Sequence, residues 1–163
     1  MIKIDDVTIR NGQPFDHENI ISVMPEWWNG RDLSSSVLKV FLIHFKNTTF
    51  IAEIGGQLVG FLIGFMSQSE KNVGYIHFAG VHPQIRKVGI GRLLYENFYS
   101  ACKESNRSIV KSCTSPVNEL SINFHQKMGF EIEQGGEIVN DVSVTLDYLG
   151  KGHPKVLFKI MLV

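Results

Sequence analysis

Residues 81–91 read VHPQIRKVGIG, a segment that joins a predicted strand to a predicted helix. The strand is indicated by residues 74–81, GYIHFAGV, because aromatic and branched side chains favour an extended backbone. The helix is indicated by apolar residues that recur three or four positions apart over residues 90–101. Gly89 and Gly91 let a ligand approach the turn closely, and the free amides at a helix start attract an anion. The segment therefore predicts a turn that binds pyrophosphate.

This turn, residues 86–92 and called the phosphate loop below, has the pattern R-x-x-G-x-G. Arg86, Lys87 and Arg92 add positive charge to it. Two other phosphate-binding patterns are excluded, because the chain has no G-x-x-x-x-G-K-[ST] and Leu94 stands where G-x-G-x-x-G needs its third glycine. From these residues alone, a plain strand-to-helix turn with solvated charges stays an equal alternative.

A second pattern lies downstream, where residues 118–130 read NELSINFHQKMGF and match N-x-x-[AS]-x-x-[LF]-[YH]-x-x-x-G-F. With both patterns in order, the chain resembles the GNAT superfamily of N-acetyltransferases. Segments such as WWNGRDL and TSPVN are similar to an uncharacterised bacterial branch of that superfamily. The resemblance implies acetyl-CoA as the cofactor.

The resemblance also implies which residues hold acetyl-CoA. Backbone groups of residues 79–81 would pair with the pantetheine arm, and the amides of the phosphate loop would hold the pyrophosphate. Asn118 would hydrogen-bond the pantetheine, although asparagine is also favoured as the capping residue of a helix. The implied cofactor-binding residues are Ala79, Gly80, Val81, Arg86, Lys87, Val88, Gly89, Ile90, Gly91, Arg92, Asn118 and Ser121.

His77 is the candidate general base. Side chains alternate along a strand, so Tyr75, His77, Ala79 and Val81 are predicted to point to one face. Histidine titrates near neutral pH, which suits a base that acts directly or through water. The strand is also similar to that of the serotonin N-acetyltransferase branch, which has a histidine four residues before the corresponding valine. The alternative is a half-buried histidine whose ring is hydrogen-bonded by neighbouring backbone.

His125 is the candidate general acid. Most superfamily members have tyrosine four residues before the glycine of the second pattern, close to the CoA sulfur, and this chain has His125 there. A histidine can donate a proton to a leaving thiolate. The alternative is that His125 only lines the pocket.

The acceptor side is predicted from other loops. Two adjacent tryptophans can enclose an amine cation or stack on a flat acceptor, and a nearby carboxylate can pair with an ammonium. The alternative is that the tryptophans cap the core. The predicted substrate-binding residues are Trp27, Trp28, Arg31, Asp32, Tyr75, Asp147 and Tyr148.

Composition limits the classes of protein that remain. The 163 residues fit a single domain over 1–163, and 16 basic and 16 acidic residues give no net charge to steer nucleic acid. The apolar stretches are too short to span a bilayer, and MIKIDDVTIR lacks the apolar part of a signal peptide. Cys102 and Cys113 are interpreted as reduced thiols, and no histidine or cysteine cluster has metal-ligand spacing. We therefore expect a cytoplasmic protein with no metal, no membrane and no nucleic-acid partner.

The predicted fold is α/β: a GNAT-like mixed, mostly antiparallel central sheet of six to seven strands flanked by about four helices. Gly55 and Gly56 predict a hairpin between the second and third strands. The predicted strands span 7–10, 48–54, 58–66, 74–81, 109–114, 130–134 and 155–162, and the predicted helices span 15–25, 33–46, 89–105 and 117–128.

Together these features predict an acetyl-CoA-dependent N-acetyltransferase. It would transfer an acetyl group to a primary amine of a small molecule by direct attack in a ternary complex. Two alternatives remain: a protein or peptide N-acetyltransferase, and a non-catalytic CoA-binding regulatory module. The resemblance further leads us to expect a homodimer.

Overall fold

The computed structural model describes residues 1–163, which form nine strands and four α-helices. The strands are β1 (Thr8–Asn11), β2 (Thr49–Ile54), β3 (Gln57–Met66), β4 (Val73–Val81), β5 (Ile109–Thr114), β6 (Glu131–Ile132), β7 (Glu137–Val139), β8 (Val142–Val144) and β9 (Val156–Met161). The helices are α1 (Asp16–Trp27), α2 (Lys39–His44), α3 (Ile90–Glu104) and α4 (Glu119–Met128). None of the helices is long and apolar enough to cross a membrane.

Seven strands form one sheet in the order β1-β2-β3-β4-β5-β9-β6, and β7 and β8 form a separate hairpin. All neighbouring strands of the large sheet are antiparallel except β4 and β5. The predicted hairpin is present, with Gly55 and Gly56 both at positive φ as its turn requires. The predicted mixed, mostly antiparallel α/β fold is therefore confirmed.

The parallel strands β4 and β5 separate soon after they meet. They pair only over three residues of each strand, and the last pair joins Tyr75 to Lys111. Beyond it β4 stays paired with β3, while β5 stays paired with β9. The hydroxyl of Ser112 reaches the carbonyl oxygen of Ile76 at 3.3 Å just beyond the last pair. The sheet is thus open between the carboxyl-terminal halves of β4 and β5, and we call this gap the β4–β5 opening.

Helices cover both faces of the sheet, and each face has its own apolar core. Leu94 and Phe98 of α3 belong to the larger core, against which Phe124 of α4 also packs. Residues of α1 and α2 form the smaller core on the other face. A Cβ on Gly64 or Gly74 would collide with Phe98 or Cys102, so glycine at these two positions lets α3 lie directly on the strands.

The predicted helix over residues 33–46 is wrong in most of its length. Ser34–Ser36 form a single 3-10 turn, Leu38 is extended, and only Lys39–His44 are α-helical. Serine side chains compete for backbone hydrogen bonds and disfavour helix interiors, so the three serines outweigh the apolar periodicity. Leu38 and Phe45 consequently stay 53% and 36% exposed.

The start of α1 is held by a partly buried ion pair, in which Asp16 is the buried partner. Arg10 on β1 donates to both carboxylate oxygens of Asp16 at 2.7 and 2.8 Å and to Glu53 on β2 at 2.8 Å. Asp16 also accepts from the amide of Gln13 at 2.7 Å. Because Asp16→Ala removes one of the two carboxylates that bind Arg10 and leaves the amide of Gln13 without a partner, we expect the free energy of unfolding to fall by about 2–3 kcal/mol in urea denaturation.

The matched control is Glu18→Ala, which removes an exposed carboxylate from the same turn of α1. Surface changes of this kind usually alter stability by less than about 0.5 kcal/mol. Equal stabilities of the two variants would show that the ion pair contributes nothing beyond its exposed counterpart.

Candidate functional site

The phosphate loop presents a run of unpaired amides. Gly89 is left-handed at φ +108°, and α3 begins at the next residue. The first backbone bond into this helix runs from Leu93 N to Gly89 O at 3.0 Å. No backbone N–H of residues 86–92 donates to a backbone carbonyl or to a side chain. Free amides at the positive end of a helix form an anion site, so the loop fits the pyrophosphate of a nucleotide.

The loop is continuous with the β4–β5 opening. A Cβ on Gly91 would lie 3.1 Å from the ring of Phe124 on α4 and 3.8 Å from Val81 on β4. Just after β4, the amide of His82 donates to Val59 of β3 at 2.9 Å. Both polar backbone groups of a strand residue point to the same edge, and the edges alternate, so those of Val81 and Ala79 point away from β3 into the opening. The carbonyl of Val81 accepts from Arg86, so the amide of Val81 and both groups of Ala79 are the ones free to pair with the amides of a pantetheine chain.

The side chain of Arg86 is bonded within the protein, and its predicted role at the cofactor stays a prediction. Its guanidinium donates to the carbonyl of Trp27 at 3.0 Å and to that of Val81 at 3.2 Å. It therefore ties the carboxyl end of α1 to the end of β4. Arg92 is exposed, and its ion pair with Glu96 is long, at 3.9 Å. Its charge and that of exposed Lys87 therefore stay available to an anion.

A β-bulge in β4 sets the position of His77. Ile63 of β3 pairs with Phe78, but the next residue, Gly64, pairs with Ile76, so His77 is an extra residue between two pairs. A bulge resets the alternation of side chains. Ala79 and Val81 pack against the core on the side of α3, whereas Phe78 packs on the side of α1 and His77 contacts Phe41 of α2. The prediction that Tyr75, His77, Ala79 and Val81 share one face is therefore wrong.

The imidazole of His77 is held on two sides. Its Nε2–H donates to the carbonyl of Ser36 at 2.7 Å, and its ring stacks on Phe41 at 4.6 Å and 15°. Because a carbonyl can only accept, the neutral ring carries its proton on Nε2 and leaves the lone pair of Nδ1 free. The geometry suits a base at Nδ1 and also fits the alternative of a ring bonded to neighbouring backbone, so the catalytic assignment stays a prediction.

His125 is buried beneath α4, only 4% exposed. Its Nδ1–H donates to the carbonyl of Ser121 at 2.7 Å, and its Nε2 accepts from the hydroxyl of Tyr95 at 2.9 Å. The ring lies flat on Phe158 at 4.1 Å. Burial lowers the pKa of His125 to about 4, so the ring is neutral at pH 7 and its one proton is held by Ser121. Its assignment as the general acid stays a prediction, and the ring also packs against Tyr95 and Phe130.

The depressed pKa of His125 predicts a loss of stability in acid. The folded pKa is about 4 and the ordinary value is 6.5, so the unfolded chain gains the proton first as the pH falls. The contribution of neutral His125 to the free energy of unfolding is complete above about pH 6.5. It is lost as the pH falls through about 4, and the total loss is about 3 kcal/mol. Urea denaturation from pH 7 to pH 4.5 should show a steeper decline for the wild type than for His125→Phe.

The exposed His44 provides the control, since His44→Phe should keep the wild-type slope. His125→Phe also removes a partner of Tyr95, so it will be less stable at every pH, and only the slope is diagnostic. Parallel curves for the wild type and His125→Phe would contradict the prediction.

Asn118 caps α4, since its Oδ1 accepts from the amide of Ser121 at 3.1 Å. The other half of the side chain, the Nδ2 amide, has no hydrogen-bond partner in the protein. The two roles expected for Asn118, helix cap and pantetheine donor, are therefore compatible, because they use different atoms.

The predicted acceptor residues fall into two groups that do not meet. Trp27 is 2% exposed and belongs to the smaller core, which matches the alternative that it caps the core. Trp28 lies over Gly80, where a Cβ would collide with its ring. Arg31 and Asp32 are exposed, and Asp32 accepts from the amide of Ser34 at 2.9 Å.

The second group lies beside the β4–β5 opening. Burial raises the pKa of Tyr75, and the neighbouring Cys113 and Tyr148 raise it further. Cys113 alternates with Ser112 on β5 and so faces the side of Tyr75. The sequence indicated only a reduced thiol at Cys113. Its place two residues after Lys111, the partner of Tyr75, becomes a signal once the strand pairing is known. Asp147 accepts from the amide of Gly152 at 2.8 Å in the exposed loop before β9.

Comparison with known proteins places these features in a family. Residues 14–130 match the acetyltransferase (GNAT) family. The uncharacterized N-acetyltransferase MJ1207 of Methanocaldococcus jannaschii is 34% identical over 86 residues, which are 50% of this chain and 38% of that protein. The L-2,4-diaminobutyric acid acetyltransferase of Nocardia farcinica is 28% identical over 48% of this chain and 40% of that protein. The chain thus spans about two fifths of the length of these two curated relatives.

Solved structures share the fold over nearly the whole chain. The putative acetyltransferase yncA from Salmonella typhimurium, solved with acetyl-CoA, has a TM-score of 0.67 at 16% identity and covers 97% of this chain and 95% of its own. Arabidopsis thaliana Naa50, solved with the bisubstrate analogue CoA-Ac-MVNAL, has a TM-score of 0.69 at 18% identity, with 95% and 98% covered. With a family match over residues 14–130 and both sequence patterns on one continuous surface, the chain belongs to the acetyltransferase (GNAT) family.

Proposed function

We propose that the protein is an acetyl-CoA-dependent N-acetyltransferase that acetylates a primary amine of a small molecule by direct attack in a ternary complex. The observation that carries this proposal is the run of free amides in the phosphate loop, which leads directly into the β4–β5 opening. Acetyl-CoA, when bound, supplies the acetyl group as an activated thioester.

The residues of the chain fit the two ends of this molecule. The amides of residues 86–92, with Lys87 and Arg92, suit the pyrophosphate. The backbone groups of Ala79, the amide of Val81 and the free Nδ2 of Asn118 suit the amides of the pantetheine arm. The likeness to structures solved with acetyl-CoA or a CoA analogue supports the same assignment.

His77 is proposed to accept the proton of the acceptor amine at Nδ1. The bond from Nε2 to Ser36 and the stack on Phe41 orient the ring and keep the lone pair on Nδ1. A positioned base of this kind contributes about 10²–10⁴-fold to a proton transfer. Proton donation by His125 to the leaving thiolate would require release of the proton bonded to Ser121.

The amino terminus of a peptide is the second candidate acceptor, and the likeness to Naa50, solved with a peptide-bearing analogue, favours it. The small-molecule proposal is supported by the relative that acts on diaminobutyric acid and by the absence of net charge. A homodimer, a single domain over 1–163 and a cytoplasmic location stay predictions from the sequence.

The proposal is tested by incubation with acetyl-CoA and a panel of amines, with product masses measured by mass spectrometry. One arm contains small amines, including L-2,4-diaminobutyrate, and the other contains peptides with different first residues. Acetylated small amines support the proposal, and acetylated peptides alone favour the second candidate. Tight binding of acetyl-CoA without any product would identify a non-catalytic CoA-binding module instead.

A further inference from the structure

A row of aromatic side chains crosses from α2 to the sheet next to the candidate base. The row begins with the ring of His77, which stacks on Phe41, and the ring of Phe41 contacts that of Phe45 at 5.6 Å. Phe45 then contacts Phe65 at 5.8 Å, and Phe65 stacks on Tyr75 at 5.3 Å and 30°. These five residues, Phe41, Phe45, Phe65, Tyr75 and His77, are called the aromatic row below.

Most of the row lies outside the two cores. Phe45, Phe65 and Tyr75 belong to neither buried cluster, and Phe45 is 36% exposed. The apolar rings therefore keep part of their surface in contact with solvent. An apolar group that packs on them would remove this surface and its own from water, which is favourable.

The row ends where the acetyl group would be transferred. Tyr75 belongs to the last residue pair before β4 and β5 separate, and His77 follows in the bulge. Tyr148, 40% exposed in the loop before β9, is a neighbour of Tyr75. A group bonded to the reacting amine would thus lie against the row and next to Tyr148.

The charged residue that pairs with Tyr75 across the strands is already in ion pairs. Lys111 pairs with Glu70 at 3.0 Å and with Glu133 at 3.8 Å. The row itself contains no carboxylate, lysine or arginine, so it offers no partner to a second charge on the acceptor.

From this arrangement we infer that the acceptor is an amine next to a flat or bulky apolar group, which packs on the aromatic row. This inference rests on the proposed function and narrows its substrate class. The same chemistry occurs in arylalkylamines and in peptides with a large apolar first residue, and the experiment distinguishes these two sources.

The experiment compares kcat/KM for 2-phenylethylamine with kcat/KM for 1,4-diaminobutane and L-2,4-diaminobutyrate. An apolar pocket discriminates by about 10–200-fold, so the wild type should prefer the aryl amine by at least about tenfold. Phe41→Asp should reduce that preference by about tenfold or more, because it places a carboxylate in the row. The ratio of two amines within one variant cancels any effect on His77.

Ile43→Asp is the matched control, since Ile43 is exposed on the same helix and lies about 200° around it from Phe41. This variant should keep the wild-type ratio. Phe41→Leu, a milder change, should lower the preference less, and it replaces Phe41→Asp if that variant fails to fold. A wild type that prefers the charged amines, or equal ratios in Phe41→Asp and Ile43→Asp, would overturn the inference.

A peptide arm uses Phe-Ala-Ser and Asp-Ala-Ser amides as the apolar and charged pair. Preference for Phe-Ala-Ser over both Asp-Ala-Ser and 2-phenylethylamine supports the inference with a peptide as the source. Turnover of 1,4-diaminobutane alone leaves the proposed function standing and overturns the inference. If no amine is turned over, the proposed function fails, and saturation-transfer NMR then tests whether 2-phenylethylamine binds the CoA-loaded protein. Contact that Phe41→Asp abolishes supports the inference. Absence of contact overturns it.

Discussion

Replacement of Gly89 by valine is expected to weaken CoA binding by about 100-fold. Gly89 lies at φ +108°, a conformation that β-branched residues almost never adopt, so the turn must change its backbone angles. The amides of residues 86–92 would then no longer converge on the pyrophosphate. Loss of one or two hydrogen bonds to a charged group costs about 3 kcal/mol, which corresponds to about 100-fold in Kd.

Isothermal titration calorimetry with CoA measures this change, and Gly56→Val is the control. Gly56 also has a positive φ, +79°, but lies in the hairpin between β2 and β3 with no atom near its missing Cβ. The control should lose stability while its Kd for CoA stays within about threefold, since backbone strain is then local. Unchanged affinity in Gly89→Val would remove the phosphate loop from cofactor binding.

Replacement of His77 by alanine is expected to lower kcat by about 10²–10⁴-fold while the affinity for CoA is kept. Nδ1 is the free nitrogen of a ring that Ser36 and Phe41 hold in place, and alanine offers no base there. Because His77 lies on the opposite side of the sheet from Ala79 and Val81, its removal should leave the proposed cofactor-binding edge of β4 intact. Steady-state kinetics with a turned-over amine, and calorimetry with CoA, measure the two effects.

His44→Ala is the matched control, because His44 is an exposed histidine on α2. It should keep wild-type kcat at every pH. Full activity of His77→Ala across the same pH range would exclude His77 as the base and leave it as a ring that fastens α2 to the sheet.

The elements that could be predicted were those with local signals. The hairpin at Gly55 and Gly56 and the helix after Gly89 each depend on a few adjacent residues, and both are present. The helix over residues 33–46 failed because two local signals conflict there, apolar periodicity and a run of serines. The bulge at His77 could not be predicted from the residues of β4, because it is defined only by the pairing of β4 with β3.

The cofactor side of the site was easier to predict from the sequence than the acceptor side, for the same reason. The phosphate loop is one continuous segment, so its glycines, charges and helix start could be recognised together. The aromatic row and the contact of Tyr75 with Cys113 and Tyr148 bring together residues far apart in the chain. Trp27 and Trp28 are adjacent in the sequence but differ in place: Trp27 is buried in the core, and the ring of Trp28 lies over Gly80.

Sequence alone was sufficient to indicate the family, through the resemblance of its two spaced patterns, and to indicate the fold and the glycine turn before α3, which depend on short-range backbone preferences. The face on which His77 lies, the burial of His125 and the use of Arg86 as a link between α1 and β4 came from the folded arrangement. Register between strands and desolvation of side chains depend on contacts between distant segments, and no local pattern in the chain carries that information.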